Sequence, residues 1–478
     1  MPTIFWFRRD LRLADNPALI AACETGSEVI PLYILDPAEV ANKGPIGGAS
    51  SWWLHESLSE LARTCAALGA PLVLRRGQPA KVLKSLVKET GADTICWNRC
   101  YEPHAIARDK QLKAELIDAG VTVQSFNAAL LAEPWTIRNG SGEPYKVFTP
   151  FWRALSQLAP FAAPLRAPKA LKPFAKALAS DNLDDWHLQP TAPDWAGGLR
   201  ATWKPGERAA ATRLHDFLDV DVATYKDRRD FLSDNATSNL APYLHWGEIS
   251  PRQVWHTAAM RADADPASAS GVAAFQRQLA WREFSAHLLF HWPDLVTHAW
   301  KPAYEKFPWA NSKPHFRAWT RGQTGYPVVD AAMRALWTTG AMHNRARMIV
   351  ASFLIKHLLI DWRQGADWFE DTLVDADLAN NRAGWQWAAG SGADAAPYFR
   401  IFNPVLQGEK FDPSGAFVRQ WVPELAGLDS RYIHKPWLAP QTALAEAGVA
   451  LGETYPHPIV DHDKARARAL AAYEEIKS

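Results

Sequence analysis

Five segments in the second half of the chain carry side chains whose types and spacing could do chemistry. Residues 235–243 (Asn-Ala-Thr-Ser-Asn-Leu-Ala-Pro-Tyr) place small hydroxyl and amide groups ahead of an apolar stretch. That pattern suits a helix cap, and consecutive free backbone N–H groups there would also suit a phosphate. Gln278 and Trp281 stand three apart, so on a helix an amide and a flat aromatic share one face, as recognition of a base edge with stacking requires. Asn344, Arg347 and Met348 project together in the same way. Asp375-Ala-Asp377 offers two carboxylates, with Asn381 four residues after Asp377. Such a pair can hold Mg²⁺ with substrate phosphates, but no third ligand is near and Arg382 would compete, so no metal site is expected. Trp385 and Trp387, two apart, face different neighbourhoods on a helix. The run 397–404 reads as a kinked connection with Arg400 available to a polyanion. Amides, aromatics, guanidinium groups and carboxylates in this mixture bind a flat, polar, phosphorylated heterocycle. No Ser–His–Asp spacing announces hydrolysis.

The elements that must position these groups divide into two grammars. Residues 3–7, 29–35, 71–75, 93–98 and 121–126 are short apolar runs rich in β-branched and aromatic residues, and they read as buried strands. Helical stretches begin at Asn16-Pro17, near Ser50, after Pro79 and near Pro103, and three of them stop at Gly69, Gly91 and Gly120. This alternation predicts a Rossmann-like α/β domain over 1–130, with a five-stranded parallel sheet. It lacks G-x-G-x-x-G and any P-loop; Arg8-Arg9-Asp10 follows the first strand instead. A Pro- and Ala-rich connector covers 131–200. From 201 to 478 strand signals nearly vanish and helix-period stretches follow at 207–219, 250–261, 271–290, 326–338, 342–360 and 366–372, predicting an all-helical domain.

Composition narrows the classes. Of 478 residues, 48% are hydrophobic and 22% charged, which excludes disorder as the dominant state. No apolar run is long enough to span a bilayer, and the charges of the first residues follow the apolar stretch, unlike a secretory signal. Cytoplasmic placement is therefore expected, with Cys23, Cys65, Cys96 and Cys100 as free thiols. The net charge of +1 means that a nucleic-acid partner would have to meet a local basic patch. The abnormal count is 23 tryptophans, most of them after residue 200, suited to core packing, stacking or electron transfer.

FWFRRDLRLADNPAL, TSNLAPYL, GEISPRQ, WREF, TGYPVVDAAMRAL, MHNRARM, LLIDWR, NRAGWQWAAGSGADAAPYFRIFNP and GEKFDPSGAFVRQW, in that order, resemble the signatures of the photolyase/cryptochrome family. The likeness runs from end to end and is strongest to bacterial class I cyclobutane pyrimidine dimer photolyases. It implies an antenna domain, a linker and a helical domain binding FAD in a folded shape. It implies FAD contacts at Tyr225, Thr237, Ser238, Asn239, Leu240 and Ala241 (usually Ser in the family), and at Phe275, Gln278, Arg282, Asn344, Arg347, Asp375, Asp377 and Asn381. Arg347 would pair with Asp375, and Asn381 would lie beside flavin N5, where an amide offers both donor and acceptor. Trp385, Trp362 and Trp309 match an electron-transfer chain. Trp281 and Trp387 match the walls of a dimer pocket, Asn344 and Met348 its floor. Arg345, Arg400, Lys146 and Arg153 are candidate phosphate contacts.

The implied activity is light-driven repair of cyclobutane pyrimidine dimers in UV-damaged DNA by electron transfer from reduced FAD, by a monomer without membrane or protein partners. Methenyltetrahydrofolate is favoured over 8-hydroxy-5-deazaflavin as antenna, with 97–103 in the antenna-site segment. One departure is Gln278, where dimer photolyases usually have Glu and (6-4) photolyases often have Gln; the paired histidines of (6-4) enzymes are absent at His343-Asn344. A (6-4) photolyase, a cryptochrome-type light receptor and a flavin oxidoreductase without DNA are the rival readings.

Overall fold

The computed structural model describes residues 1–40, 46–398 and 400–477, so Phe399 of the 397–404 run lies outside the described residues. It divides into two units. One comprises Met1–Lys226, Ser238–Pro293 and Val374–Ala379; the other comprises Asp227–Thr237, Asp294–Leu373 and Asn380–Ser478.

In the first unit, five parallel strands form a sheet: β1 (Thr3–Phe7), β2 (Val29–Leu35), β3 (Val73–Arg76), β4 (Thr94–Asn98) and β5 (Thr122–Phe126), in the order β3-β2-β1-β4-β5. Every residue of β1 and β2 is buried, which is why their runs are apolar but for Thr3 rather than alternating. In register, Ile4 of the central strand faces Ile30 on one side and Ile95 on the other. The crossovers are α1 (Pro17–Glu24), α2 (Gly48–Ala67), α3 (Pro79–Thr90) and α4 (Pro103–Asp118). Proline opens α1, α3 and α4, where its missing N–H costs nothing. Leu83, Leu86, Leu112 and Leu116 close one face of the sheet over Ile4, Trp6, Ile95 and Trp97. The Pro-rich connector is tied to this sheet: Val29 N donates to Lys172 O (2.8 Å), and Asp181 N to Leu74 O (2.8 Å).

The charged segment after β1 is a fastener. Asp10 accepts from Arg8 N (2.6 Å) and from Asn98 Nδ2 (2.6 Å). Arg8 bridges the ends of β1 and β4 by donating to Asn98 O and pairing with Asp109. It therefore occupies the switch point where open α/β sheets take ligands. Arg12 is 1% exposed and donates to Gly247 O (2.8 Å), Asp15 O (2.7 Å) and Ala128 O (2.8 Å). Asp15, fully buried, is held by Arg252 (2.8 Å) and Ser250 Oγ (2.5 Å). The unit also carries α5 (Phe148–Ser156), α6 (Glu207–Asp216), α7 (Ala241–Trp246), α8 (Pro251–Ala264) and α9 (Ala269–His291), and these bonds reach the end of α7 and the start of α8. Ser250 and Gln253 form a reciprocal capping box on α8, the structural meaning of the Ser-Pro-Arg-Gln string.

The second unit carries α10 (Lys313–Thr320), α11 (Pro327–Thr339), α12 (Asn344–Ser352), α13 (Trp362–Thr372), α14 (Leu378–Ala389, whose first two residues belong to the first unit), α15 (Pro404–Phe411), α16 (Ala416–Trp421), α17 (Gln441–Glu446) and α18 (His462–Glu475). Among the described residues no strand follows β5, as the all-helical expectation required. Two helices differ from expectation. The stretch 342–360 is α12 followed by a wider turn at Phe353–His357, where Leu358 N reaches Phe353 O (3.2 Å), and it ends at Leu359 with φ 52°. The stretch 207–219 likewise ends its regular helix at Asp216 and widens over Phe217–Asp221. A shift to i→i+5 bonding leaves the apolar period almost intact, so periodicity does not reveal it.

Candidate functional site

Each unit gathers its own share of the candidate residues. In the first, Tyr225 and Phe275 are buried in one aromatic cluster with Phe217, their centroids 5.4 and 4.8 Å from that ring. Residues 238–241 lead into α7, but not as the hydroxyl cap read from sequence. The N-cap is Leu240, which makes no side-chain cap bond, while Ser238 Oγ accepts weakly from Leu240 N (3.4 Å) and Asn239 adopts φ 52°. The opposite end of α7 meets the carboxylate loop. Trp246 Nε1 donates to Val374 O (3.3 Å), and His245 Nδ1 lies 4.0 Å from Asp377. Burial, together with Arg9 bonded to its ring, pushes His245 below the usual histidine range. Asp375 and Asp377 are half-buried, the Asp377 N–H donating to Asp375 O (2.6 Å).

Helix α9 presents Gln278, Trp281 and Arg282. Gln278 is half-buried and makes one long bond, 3.5 Å, to Ala274 O of its own helix, so its amide is uncommitted. Trp281 stacks flat on Phe148 of α5, 3.6 Å between centroids and 6° between planes, a partner not anticipated from sequence. Arg282 is engaged: it donates to Ala129 O (2.7 Å) and lies 3.6 Å from Glu283. Lys146 and Arg153 are exposed, with Lys146 5.6 Å from the Trp292 ring. In the antenna-site segment Trp97 is buried, and Tyr101 OH donates to Glu133 (2.7 Å), which also pairs with Arg99.

In the second unit, the i, i+4 reading of α12 holds: Asn344 Nδ2 approaches Met348 Sδ (3.9 Å). Arg347 Nε donates to Met342 O (2.8 Å). Arg345 is ion-paired with Asp230 (2.8 Å) and lies over the Phe411 ring (4.3 Å), whereas Arg400 is exposed. Thr237 is half-buried. His343 caps α12 by accepting from Arg345 N (3.1 Å), and burial pushes it down to about 4. Between its ordinary 6.5 and about 4 the unfolded chain binds the extra proton, so this contribution to stability is lost as pH falls through that window. His343→Asn keeps an N-cap acceptor that does not titrate. We expect it to lose less stability than wild type between pH 6.5 and 4.5, by about 2 kcal/mol in urea titrations, since each pKa unit is worth about 1.4 kcal/mol.

Of the three candidate relay indoles one is half-buried and two are buried. Trp309 is half-buried against Phe307 (4.4 Å). The chain just after it bonds to the residues leading into α13, Ala310 N to Leu359 O (2.7 Å) and Asp361 N to Asn311 Oδ1 (3.0 Å). Trp362, 1% exposed, opens α13 beneath the Arg363 guanidinium (4.8 Å). One turn further, Gly365 packs against the edge of Trp385, which is 2% exposed between Phe369 (5.0 Å) and Trp319 (6.1 Å). Its Nε1 is buried and has no partner among the described residues. Trp387 is half-buried. Asn381, one helical turn before Trp385, donates through Nδ2 to Ala366 O (2.9 Å). A carbonyl can only accept, so the amide's orientation is settled and Oδ1 is turned the other way.

FAD fits this donor set. It needs hydrogen-bonding groups for a pyrophosphate, carboxylates for ribose hydroxyls, and amides for an isoalloxazine edge. The first unit supplies the 238–241 backbone, Asp375, Asp377 and the uncommitted Gln278 amide, and the second supplies Asn344, Asn381 and the orphaned Trp385 N–H, each a group of a type that a bound ligand would satisfy.

The chain matches two family models, "DNA photolyase" over residues 3–170 and "FAD binding domain of DNA photolyase" over 275–475. It is 53% identical over 476 residues to a deoxyribodipyrimidine photo-lyase of Agrobacterium fabrum, covering 100% of this chain and 98% of the relative. It is 39% identical to cryptochrome-2 of Arabidopsis thaliana, covering 99% of this chain and 79% of the relative. Among solved structures, a bacterial class III photolyase from Agrobacterium tumefaciens superposes with a TM-score of 0.97 at 53% identity, covering 100% of this chain and 98% of that one. That relative is described as class III, not as the class I that the motifs resemble. By these full-length matches the chain belongs to the photolyase/cryptochrome family.

Proposed function

We propose that the protein is a DNA photolyase: a carbon–carbon lyase that splits cyclobutane pyrimidine dimers under blue light. The observation that carries this is the fixed Asn381 amide, one turn from a buried Trp385, in a chain 53% identical along its length to a deoxyribodipyrimidine photo-lyase. Reduced FAD, when bound, supplies the light-absorbing electron donor; the protein supplies binding, orientation and electrostatics. Tyr225, Thr237, Ser238, Asn239, Leu240, Ala241 and Phe275, with Asp375, Asp377 and Arg347, hold the cofactor. Arg282 supports it indirectly, because its guanidinium is already spent on backbone. Trp385, Trp362 and Trp309 relay an electron inward from the surface. Enzymes that act on a base extrude it from the stack, photolyases among them. Trp281 and Trp387 would stack the extruded dimer, with Asn344, Met348 and Gln278 on its polar and apolar edges. Trp281 is preorganised for this by Phe148, which fixes the plane of its ring. Exposed Arg400, Lys146 and Arg153 serve the phosphates better than Arg345, which Asp230 neutralises. An antenna is part of the proposal, methenyltetrahydrofolate in preference to 8-hydroxy-5-deazaflavin; extraction from purified protein identifies it.

The test is incubation of purified, FAD-reduced protein with dimer-containing DNA, lit and dark. Dimer loss in the light alone is expected; none rejects the reading. The same assay on (6-4) lesions decides the alternative that Gln278 raises, and a cryptochrome-type receptor would repair neither. Gln278→Glu places an ionisable group where the amide is uncommitted. We expect it to raise dimer-repair yield several-fold and give it a pH dependence that wild type lacks, since charge-assisted bonds are about twice as strong as neutral ones. Equal yields at every pH would remove this role for Gln278.

A further inference from the structure

Asn381 is 9% exposed and its amide is gripped from one side. Ala366 and Glu370 stand one turn apart on α13, so a carbonyl and a carboxylate face it together. Nδ2 of Asn381 donates to Ala366 O at 2.9 Å and lies 3.4 Å from Glu370 Oε1. With both amide hydrogens drawn that way, the polar atom Asn381 still has to offer is Oδ1. Glu370 is itself held: Arg382 Nη2 lies 2.9 Å from one carboxylate oxygen and 3.0 Å from the other. Arg382, 8% exposed, also pairs with the exposed Asp367 (2.9 Å). Neither Glu370 nor Arg382 falls on a spacing that singles it out in the sequence.

We propose that Glu370, held by Arg382, is a positioning residue that keeps the Asn381 amide from turning over, so that Asn381 presents an oxygen rather than an NH2 to the flavin. The proposal rests on the reading of Asn381 as the residue beside flavin N5. An oxygen there accepts from a ring N–H, which the reduced flavin has, and repels the bare nitrogen lone pair of the oxidised one. The lock therefore biases the bound cofactor toward its reduced form. Burial raises the carboxyl of Glu370 while Arg382 draws it back, and the nearby Asp367 raises it again. Protonation of Glu370 would weaken its hold on the Asn381 amide, so the bias should fade on acidification.

The experiment is a redox titration of FAD-loaded wild type, Glu370→Gln and Glu370→Leu between pH 5 and 8, followed by flavin absorbance. Leu cannot accept, so the reduced-to-oxidised ratio at fixed poise should fall about tenfold, which for a two-electron couple is about 30 mV. Gln retains a carbonyl acceptor but not the charge, so at pH 8 its ratio should fall less than that of Leu, by about threefold, since a neutral bond is about half as strong as a charge-assisted one. On acidification the protonated Glu370 keeps only a neutral carbonyl acceptor, so the wild type should converge on the Gln variant, which has no carboxyl at 370 to titrate. If Glu370→Leu fails to retain FAD, the pH comparison between wild type and Glu370→Gln decides. Identical titrations of all FAD-loaded forms, or identical pH dependence of wild type and Gln, overturn the assignment alone. Wild type that takes up no FAD overturns the reading of the site, and this assignment with it.

Discussion

Gly365→Ala should destabilise the protein by about 3 kcal/mol, the upper part of the range for overpacking a filled core, and cripple light-driven flavin reduction. A Cβ at this position would overlap the edge of the Trp385 indole and come within 2.7 Å of Leu354 Cδ2. Helix propensity works the other way, favouring Ala over Gly by about 1 kcal/mol, but it is outweighed because Trp385 has nowhere to go between Phe369 and Trp319. Relief must come from moving the indole or spreading α13 from α14. We expect the yield of light-driven reduction to drop about tenfold or more, since functional groups tolerate only about 0.5 Å of displacement. Gly384→Ala is the internal control. That glycine lies next to Trp385 on α14, is exposed, and a Cβ there meets nothing within 4 Å. It should gain about 0.5–1 kcal/mol and leave the photoreduction rate alone. Urea unfolding and the bleaching of oxidised flavin under blue light measure both. Equal stability of Gly365→Ala and wild type would mean that the indole does not pack against that backbone.

Asp330→Ala should be the costliest single change, about 3–5 kcal/mol, the range for removing one partner from a buried charged network. Asp330 is fully buried at the start of α11. Its Oδ1 accepts from Thr324 N (2.7 Å) and Thr324 Oγ1 (2.7 Å), and its Oδ2 from Gly325 N (3.0 Å) and Tyr455 OH (2.7 Å). Truncation leaves four donors facing a cavity that water does not readily reach. Asp330→Asn keeps one carbonyl oxygen but turns an NH2 toward donors, so it should lose a smaller but still large amount. The midpoint of urea unfolding reports both, and a loss below about 1 kcal/mol for Ala would contradict the unmet-donor argument.

The Asp330 network shows where sequence reading stops. Thr324, Gly325 and Asp330 stand together in the TGYPVVD string, but the fourth partner, Tyr455, is 125 residues away and nothing local signals it. The sheet was legible because β1 and β2 are buried on both faces and therefore apolar at every position but Thr3. The helix starts at Pro17, Pro79 and Pro103 were legible because proline fits only the first turn. Within the candidate site, the facing pairs on single helices, such as Asn344 with Met348, followed from spacing alone. The hydroxyls at 237–238 misled, since the backbone at Asn239 turns into φ 52° and delays the cap to Leu240. Partners brought in from another helix, Phe148 under Trp281 and Glu370 beside Asn381, left no trace in the spacing.

The fastener built on Arg12 and Asp15 bears on how this protein could be cut or recombined. Its side chains sit in the amino-terminal α/β half, yet Gly247, Ser250 and Arg252, which complete them, are encoded more than two hundred residues later. A gene fragment ending after β5 would inherit a guanidinium and a carboxylate shaped for absent neighbours. Swapping that half into a chimera therefore demands transplanting the distal Gly-Glu-Ile-Ser-Pro-Arg-Gln string as well, or neutralising both ions at once.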